Sequence, residues 1–160
     1  AALFSAPLLE RAPASGIETV LDAGSLHRGT ALLYEPVGHL VASETFALEV
    51  TGAADPGAAL EILALRHPCV VITLGSKGLI WAREGRRGSL PAFAVEARDT
   101  TGAGDVFHGA YASALARGVE LDERVRFAAA AAALKATQPG GQTGIPNRTT
   151  VEAYLLEHPR

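Results

Sequence analysis

The stretch Asp99-Thr100-Thr101-Gly102-Ala103-Gly104-Asp105 divides the chain into two kinds of sequence. Before it, short β-prone runs alternate with helical stretches; after it, every segment has helical character. Cys69 to Thr73 is an almost unbroken β-branched run, the pattern of a strand buried on both faces. Ile17 to Leu21, closing on Asp22, and His39 to Ala42 are further β-prone runs. Helical stretches cover 44–50 and 56–67, with Pro56 well placed in a first turn. Residues 1–15 suit a helix limited by Pro7 and Pro13 and ended by Gly16. Leu79 to Arg83 and Ala92 to Val95 flank a turn over 84–88 and read as a hairpin or edge extension. Beyond Asp105, 106–117, 122–138 and 150–158 read as helices, separated by Gly118 and the 139–144 loop. Strands alternating with helices, then a helical end, predict an α/β layered fold with a mostly parallel sheet flanked by helices.

Bulk properties bound the function. With 160 residues, 48% of them apolar and 19% charged, the chain has the balance of a globular domain. A net charge of -3 with scattered basic residues gives no footprint for nucleic acid. The longest strongly apolar run, 127–134, is mostly alanine and far short of the roughly 18 residues that span a bilayer. A lone cysteine, Cys69, excludes an intramolecular disulfide and a multi-cysteine metal site. His27, His39, His67 and His158 share no metal-site spacing. No leader precedes an apolar segment, so the expectation is a cytoplasmic protein without membrane partners.

The dividing stretch carries the chemistry. Gly102 and Gly104 flank one small residue, so the backbone can turn sharply and bring its N–H groups close to a ligand. A helix starts there, and its unpaired donors and partial positive charge favour an anion such as phosphate. A carboxylate directly after such a cradle would ordinarily repel that guest. Two roles for Asp105 therefore compete. Either it caps the helix by accepting backbone N–H bonds, or it takes a proton from a hydroxyl attacking a phosphoryl group held by the glycines.

These seven residues, continued by Val106-Phe107-His108-Gly109-Ala110, resemble the signature of the ribokinase-like (PfkB) carbohydrate kinases. The resemblance implies a ribokinase-like fold and ATP-dependent phosphorylation of a hydroxyl on a sugar or sugar derivative. It makes Asp105 the catalytic base and the Gly102, Ala103 and Gly104 backbone the anion hole. Val71-Ile72-Thr73-Leu74-Gly75-Ser76-Lys77-Gly78 resembles the strand and turn that contact the nucleotide phosphates and ribose. Gln138-Pro139-Gly140-Gly141-Gln142-Thr143-Gly144-Ile145-Pro146 resembles the family's loop near the adenine. Ser43, Thr73, Gly75, Ser76, Gly78, Thr101, Gly140 and Gly141 are thus the implied nucleotide-binding positions. Asp99 and Thr101 are the implied oxygen donors of a monovalent cation, with K+ the expected ion, and Mg2+ is expected with ATP.

Two departures qualify the resemblance. Where the family often has Asn-x-x-Glu, tied to magnesium, this chain has Ser43-Glu44-Thr45-Phe46. Glu44 substitutes, or magnesium is held through water and the nucleotide phosphates. The second departure is extent. The resemblance runs from Gly16 to Tyr154 but matches only the C-terminal half of a family member. Residues 1–160 are therefore expected to be the nucleotide-binding and catalytic portion of a kinase domain, without the N-terminal part and lid, and poorly active alone. A small-molecule sugar is the expected substrate, and a homodimer or association with the missing N-terminal half the expected assemblies. Rival functions are a non-catalytic nucleotide-binding fragment, one half of a split kinase, and a nucleoside or vitamin-precursor kinase. Asp22, at the end of its strand, reads as a turn cap or as a group facing magnesium. His108 reads as a partly buried structural histidine or as a group approaching the substrate side, and Gly109, Ala110, Ala112, Ser113 and Ala114 as close helix packing.

Overall fold

The β-prone runs at 17–22, 39–42, 69–73 and 79–83 supply strands, and a fifth forms in the segment read as a turn: β1 (Val20–Ala23), β2 (His39–Ser43), β3 (Cys69–Thr73), β4 (Leu79–Arg83) and β5 (Arg86–Leu90). In this computed structural model the described residues are 2–35 and 37–159, with side chains from residue 7 onward. Ala1, where the helix expected over 1–15 begins, lies outside them, as do Pro36 and Arg160. The strands form one sheet in the order β1-β2-β3-β4-β5. It is a mixed sheet: β1, β2 and β3 run parallel, in the register Leu21↔Leu40 and Leu40↔Val70, and β4 is antiparallel to β3. Helices α1 (Ala2–Arg11), α2 (Arg28–Leu33), α3 (Glu44–Thr51) and α4 (Pro56–Ala64) accompany it. The chain divides into two compact units, Ala1–Ser89 and Leu90–Arg160.

Burial explains the first unit. Leu40, Val41, Val70, Val71 and Ile72 are wholly inaccessible, as a strand covered on both faces requires. Phe46, Ala47, Ala59, Leu60 and Leu63 of α3 and α4 join Leu40, Val70 and Ile72 in one core. Both helices start on side-chain caps. The Ser43 hydroxyl accepts from Phe46 N at 3.0 Å, and the Asp55 carboxylate from Gly57 N at 2.9 Å and Ala58 N at 3.0 Å. The second unit holds α5 (Ala103–Ala116), α6 (Leu121–Ala136) and α7 (Arg148–Glu157). Ala114, Ala128 and Ala130 are wholly buried, so the α5 and α6 backbones approach closely. Phe93, Phe127 and Tyr154 pack around Val106, Ala131 and Val151.

The structure corrects several sequence expectations. The partner of β4 is β5, not 92–95, which forms no strand. The connection shrinks to Glu84 and Gly85, whose φ angles of 50° and 79° are what a two-residue hairpin turn needs. Phe93 instead meets Tyr154 edge-on at 5.5 Å in the second unit. The expected helix over 56–67 stops at Ala64, because His67 precedes Pro68, a position that disfavours helix. Strand β1 begins at Val20 and carries Asp22 within it, opposite Val41, so Asp22 does not close the strand. Helix α1 passes through Pro7, forgoing one backbone hydrogen bond, and α2 was not anticipated. His27 starts α2: its Nδ1 accepts from Gly29 N at 3.1 Å and Thr30 N at 3.2 Å.

Gly88 shows why so polar a segment is a strand. A Cβ there would lie 2.4 Å from the Trp81 ring, so only glycine lets the indole lie flat across β5. Gly88→Ala should therefore destabilise the protein by about 1–3 kcal/mol, as overpacking does. The check is the urea midpoint followed by fluorescence of Trp81, the chain's single tryptophan. An unchanged midpoint would refute the contact.

Candidate active site

Asp99 organises the dividing stretch. The backbone enters it pinned to the end of α6, with Arg98 N and Asp99 N donating to Ala136 O at 2.8 and 3.1 Å. One Asp99 carboxylate oxygen accepts from Thr101 N at 2.9 Å and the other from Gly140 N at 2.8 Å. Its main-chain carbonyl accepts from Lys135 Nζ at 2.9 Å. The Thr101 side chain and the backbone N–H groups of Thr101 and Gly140 hold the Asp99 carboxyl down to about 2, assisted by the Lys135 charge. Asp99 thereby ties the start of the turn to the 138–144 loop.

Gly102 completes the turn with φ 76°, a left-handed conformation that favours glycine. A side chain there would also meet Gly141 O at 3.1 Å. Gly102 is the N-cap of α5 and offers no side chain to its first-turn donors. Helix α5 thus begins at Ala103, three residues earlier than expected, and Asp105 lies within its first turn. The capping role weighed for Asp105 is not the one it takes. Its carboxylate is exposed and, among the described residues, has no hydrogen-bond or ion-pair partner. Ala103 N donates to Thr100 O at 3.0 Å, which leaves Gly102 and Gly104 as the glycine donors open to a ligand. His108, half-buried, has Nδ1 2.7 Å from Gly104 O, consistent with a structural role.

A cleft of about 470 Å³ adjoins this turn, lined by Gly102, Asp105, Gly141 and Arg148 among others. Gly109, Ala110 and Ser113 also line it. Sequence reading assigned these small residues to helix packing alone; here they leave room for the cleft.

The other predicted nucleotide positions gather in the first unit. Ser43 and Thr73 end adjacent parallel strands in register with each other. The Ser43 hydroxyl, besides capping α3, donates to Gly24 O at 2.7 Å, and Thr73 Oγ1 donates to Ala42 O at 3.3 Å. After β3 the chain makes a tight turn in which Leu74 N donates to Gly78 O at 2.8 Å and Gly78 N to Gly75 O at 3.1 Å. Gly75 and Gly78 have φ of 59° and 99°, and Ser76 is exposed at the apex. Glu44, at the start of α3, pairs with Lys77 of this turn at 3.7 Å. Lys135 was not singled out from sequence; its signal was a lone charge in the last turn of an alanine-rich helix.

Residues 13–148 match the family described as pfkB family carbohydrate kinase. Over 150 residues the chain is 35% identical to the ribokinase of Haemophilus influenzae, covering 90% of this chain and 49% of that protein. The structure of Arabidopsis thaliana ribokinase complexed with ribose and ATP matches with a TM-score of 0.86 at 28% identity, over 96% of this chain and 52% of that one. A double-mutant fructokinase of Vibrio cholerae, with fructose, ADP and potassium ion bound, matches with a TM-score of 0.80 at 26% identity, over 93% and 54%. This chain belongs to the pfkB family of carbohydrate kinases, with a ribokinase-like fold. It spans about half the length of the Haemophilus relative. Among the described residues no helix is long and apolar enough to cross a membrane.

The Asp99 contacts set a pH dependence. Its folded carboxyl titrates near about 2, below the ordinary value of about 4. A depressed folded pKa stabilises the fold above the unfolded pKa, and that stabilisation disappears as pH falls through the folded one. The melting-temperature gap between wild type and Asp99→Asn should be full above about pH 5 and close between about pH 4 and 2. A gap that does not change with pH would refute the ionised contact.

Proposed function

We propose that this chain is the C-terminal, nucleotide-binding and catalytic portion of a kinase that moves the γ-phosphoryl group of ATP to a sugar hydroxyl. One observation carries the reading: Asp105 presents an exposed, unpartnered carboxylate in the first turn of α5, beside the left-handed Gly102. A general base must be free to accept a proton, and an anion cradle must have open donors; here the two adjoin. Asp105 removes the proton as the acceptor oxygen attacks phosphorus, and ADP leaves with the broken bond's electrons. The N–H groups of Gly102 and Gly104, with the positive end of α5, stabilise charge on the transferring oxygens. Ala103 shapes the turn through its bond to Thr100 O.

In the first unit, the glycine turn over 74–78 and the strand ends at Ser43 and Thr73 receive the nucleotide, as strand C-termini do in open α/β sheets. Within the second unit, Thr101, Gly140 and Gly141 are the proposed nucleotide positions, held together by the Asp99 contacts. Among the described residues no group of three acidic, histidine or cysteine side chains is placed to hold a metal. Magnesium would accompany the nucleotide and offset the charge of its phosphates. The ribose and fructose in the related structures support a free sugar as the acceptor class.

The test is Asp105→Asn in the full-length protein. ATP affinity by calorimetry should hold, while sugar-dependent ADP release falls by about 10²–10⁴-fold. Near-normal turnover would remove Asp105 as the base. An equal fall in ATP affinity would place it in the nucleotide shelf instead.

A further inference from the structure

Among the described residues, two basic side chains of the second unit are buried, Arg124 and Lys135. Arg124 bonds Val119 O at 2.7 Å and the Tyr111 hydroxyl at 3.3 Å, which is helix packing. Lys135 differs. It is wholly inaccessible, sits in the last turn of α6, and gives its Nζ to the Asp99 carbonyl at 2.9 Å. Withdrawing an ammonium from water is costly unless it meets fixed acceptors and an opposite charge. Both are supplied here by the residue that shapes the turn leading to Asp105.

The family likeness led to a monovalent cation at Asp99 and Thr101, and the residues present do not fit one. Both Asp99 carboxylate oxygens already accept N–H bonds, and its carbonyl already faces a positive charge. A second cation would lie against the first, where repulsion is strong and poorly screened. We infer that Lys135 is a positioning residue whose ammonium replaces a monovalent ion beneath the Asp99 turn, so that the anion cradle is set without potassium. This rests on the kinase reading for its functional meaning, though not for its geometry.

The test compares melting temperatures of wild type and Lys135→Ala in equal concentrations of potassium, sodium, methylammonium and choline chloride. Wild type should melt at one temperature in all four. Lys135→Ala should melt lower in choline and regain several degrees in potassium or methylammonium, because a bound ion stabilises the state that binds it. In the full-length protein, turnover should be indifferent to the cation in wild type and cation-activated in the variant. A potassium-specific rise in wild-type melting temperature would overturn the inference, and needs no variant should Lys135→Ala fail to fold. So would a folded Lys135→Ala that melts like wild type, or that melts lower and ignores every small cation. Melting requires neither ATP nor sugar, so failure of the kinase reading would appear separately, as absent ATP binding.

Discussion

A left-handed glycine directly before a helix makes an abrupt reversal, and it keeps one shape only if the chain is held on both sides. Asp99 does the holding. Its carboxylate spans from Thr101, within the reversal, to Gly140 in a loop 41 residues away, and its carbonyl meets Lys135. Bonds that involve an ionised group are shorter and stronger than neutral ones, so one residue, through its carboxylate and its carbonyl, can fix three segments. The low pKa of Asp99 is the same fact seen from the proton's side: each group that bonds the anion also resists its protonation. Helix α5 starts where it does because of that constraint, and Asp105 stands where the helix puts it.

The two units each place a glycine-containing turn on rigid elements, in different ways. In the first, parallel strands β2 and β3 end side by side and a turn with two positive-φ glycines follows, exposing backbone at the sheet's C-terminal edge. Rigidity comes from the buried strands and from the Ser43 cap, which also ties α3 to Gly24. In the second unit a helix start does the work, and rigidity comes from Asp99. Both place flexible glycines on elements that cannot move, which is how a loop becomes a precise binding surface.

Features written as local patterns were legible in the sequence. The β-branched run at 69–73 became β3 without adjustment, and the glycines flanking Ala103 marked the turn into α5, although the helix itself was expected three residues later. Features that depend on a distant partner were not. Nothing about Arg86-Arg87-Gly88-Ser89 looks like a strand until the Trp81 ring lies over Gly88. The role of Lys135 depends on an acceptor 36 residues away, and spacing along α6 carries no trace of it. Asp105 was read as a candidate cap because the helix was begun at it; the cap is Gly102, which pattern reading treats only as turn material.

That misplacement carries physical meaning. Helices α3, α4 and α7 begin on Ser43, Asp55 and Asn147, whose side chains consume first-turn donors. A side-chain cap of this kind is worth about 1 kcal/mol. Helix α5 forgoes it, since Gly102 has nothing to offer the donors that follow. Glycine is nonetheless favoured, because φ there is positive and a Cβ would press on Gly141 O at 3.1 Å. The same loop that Asp99 anchors through Gly140 therefore disfavours a capping side chain at 102. A helix start without a side-chain cap thus follows from the way the 138–144 loop is fastened, and the Asp105 carboxylate stands in that same first turn.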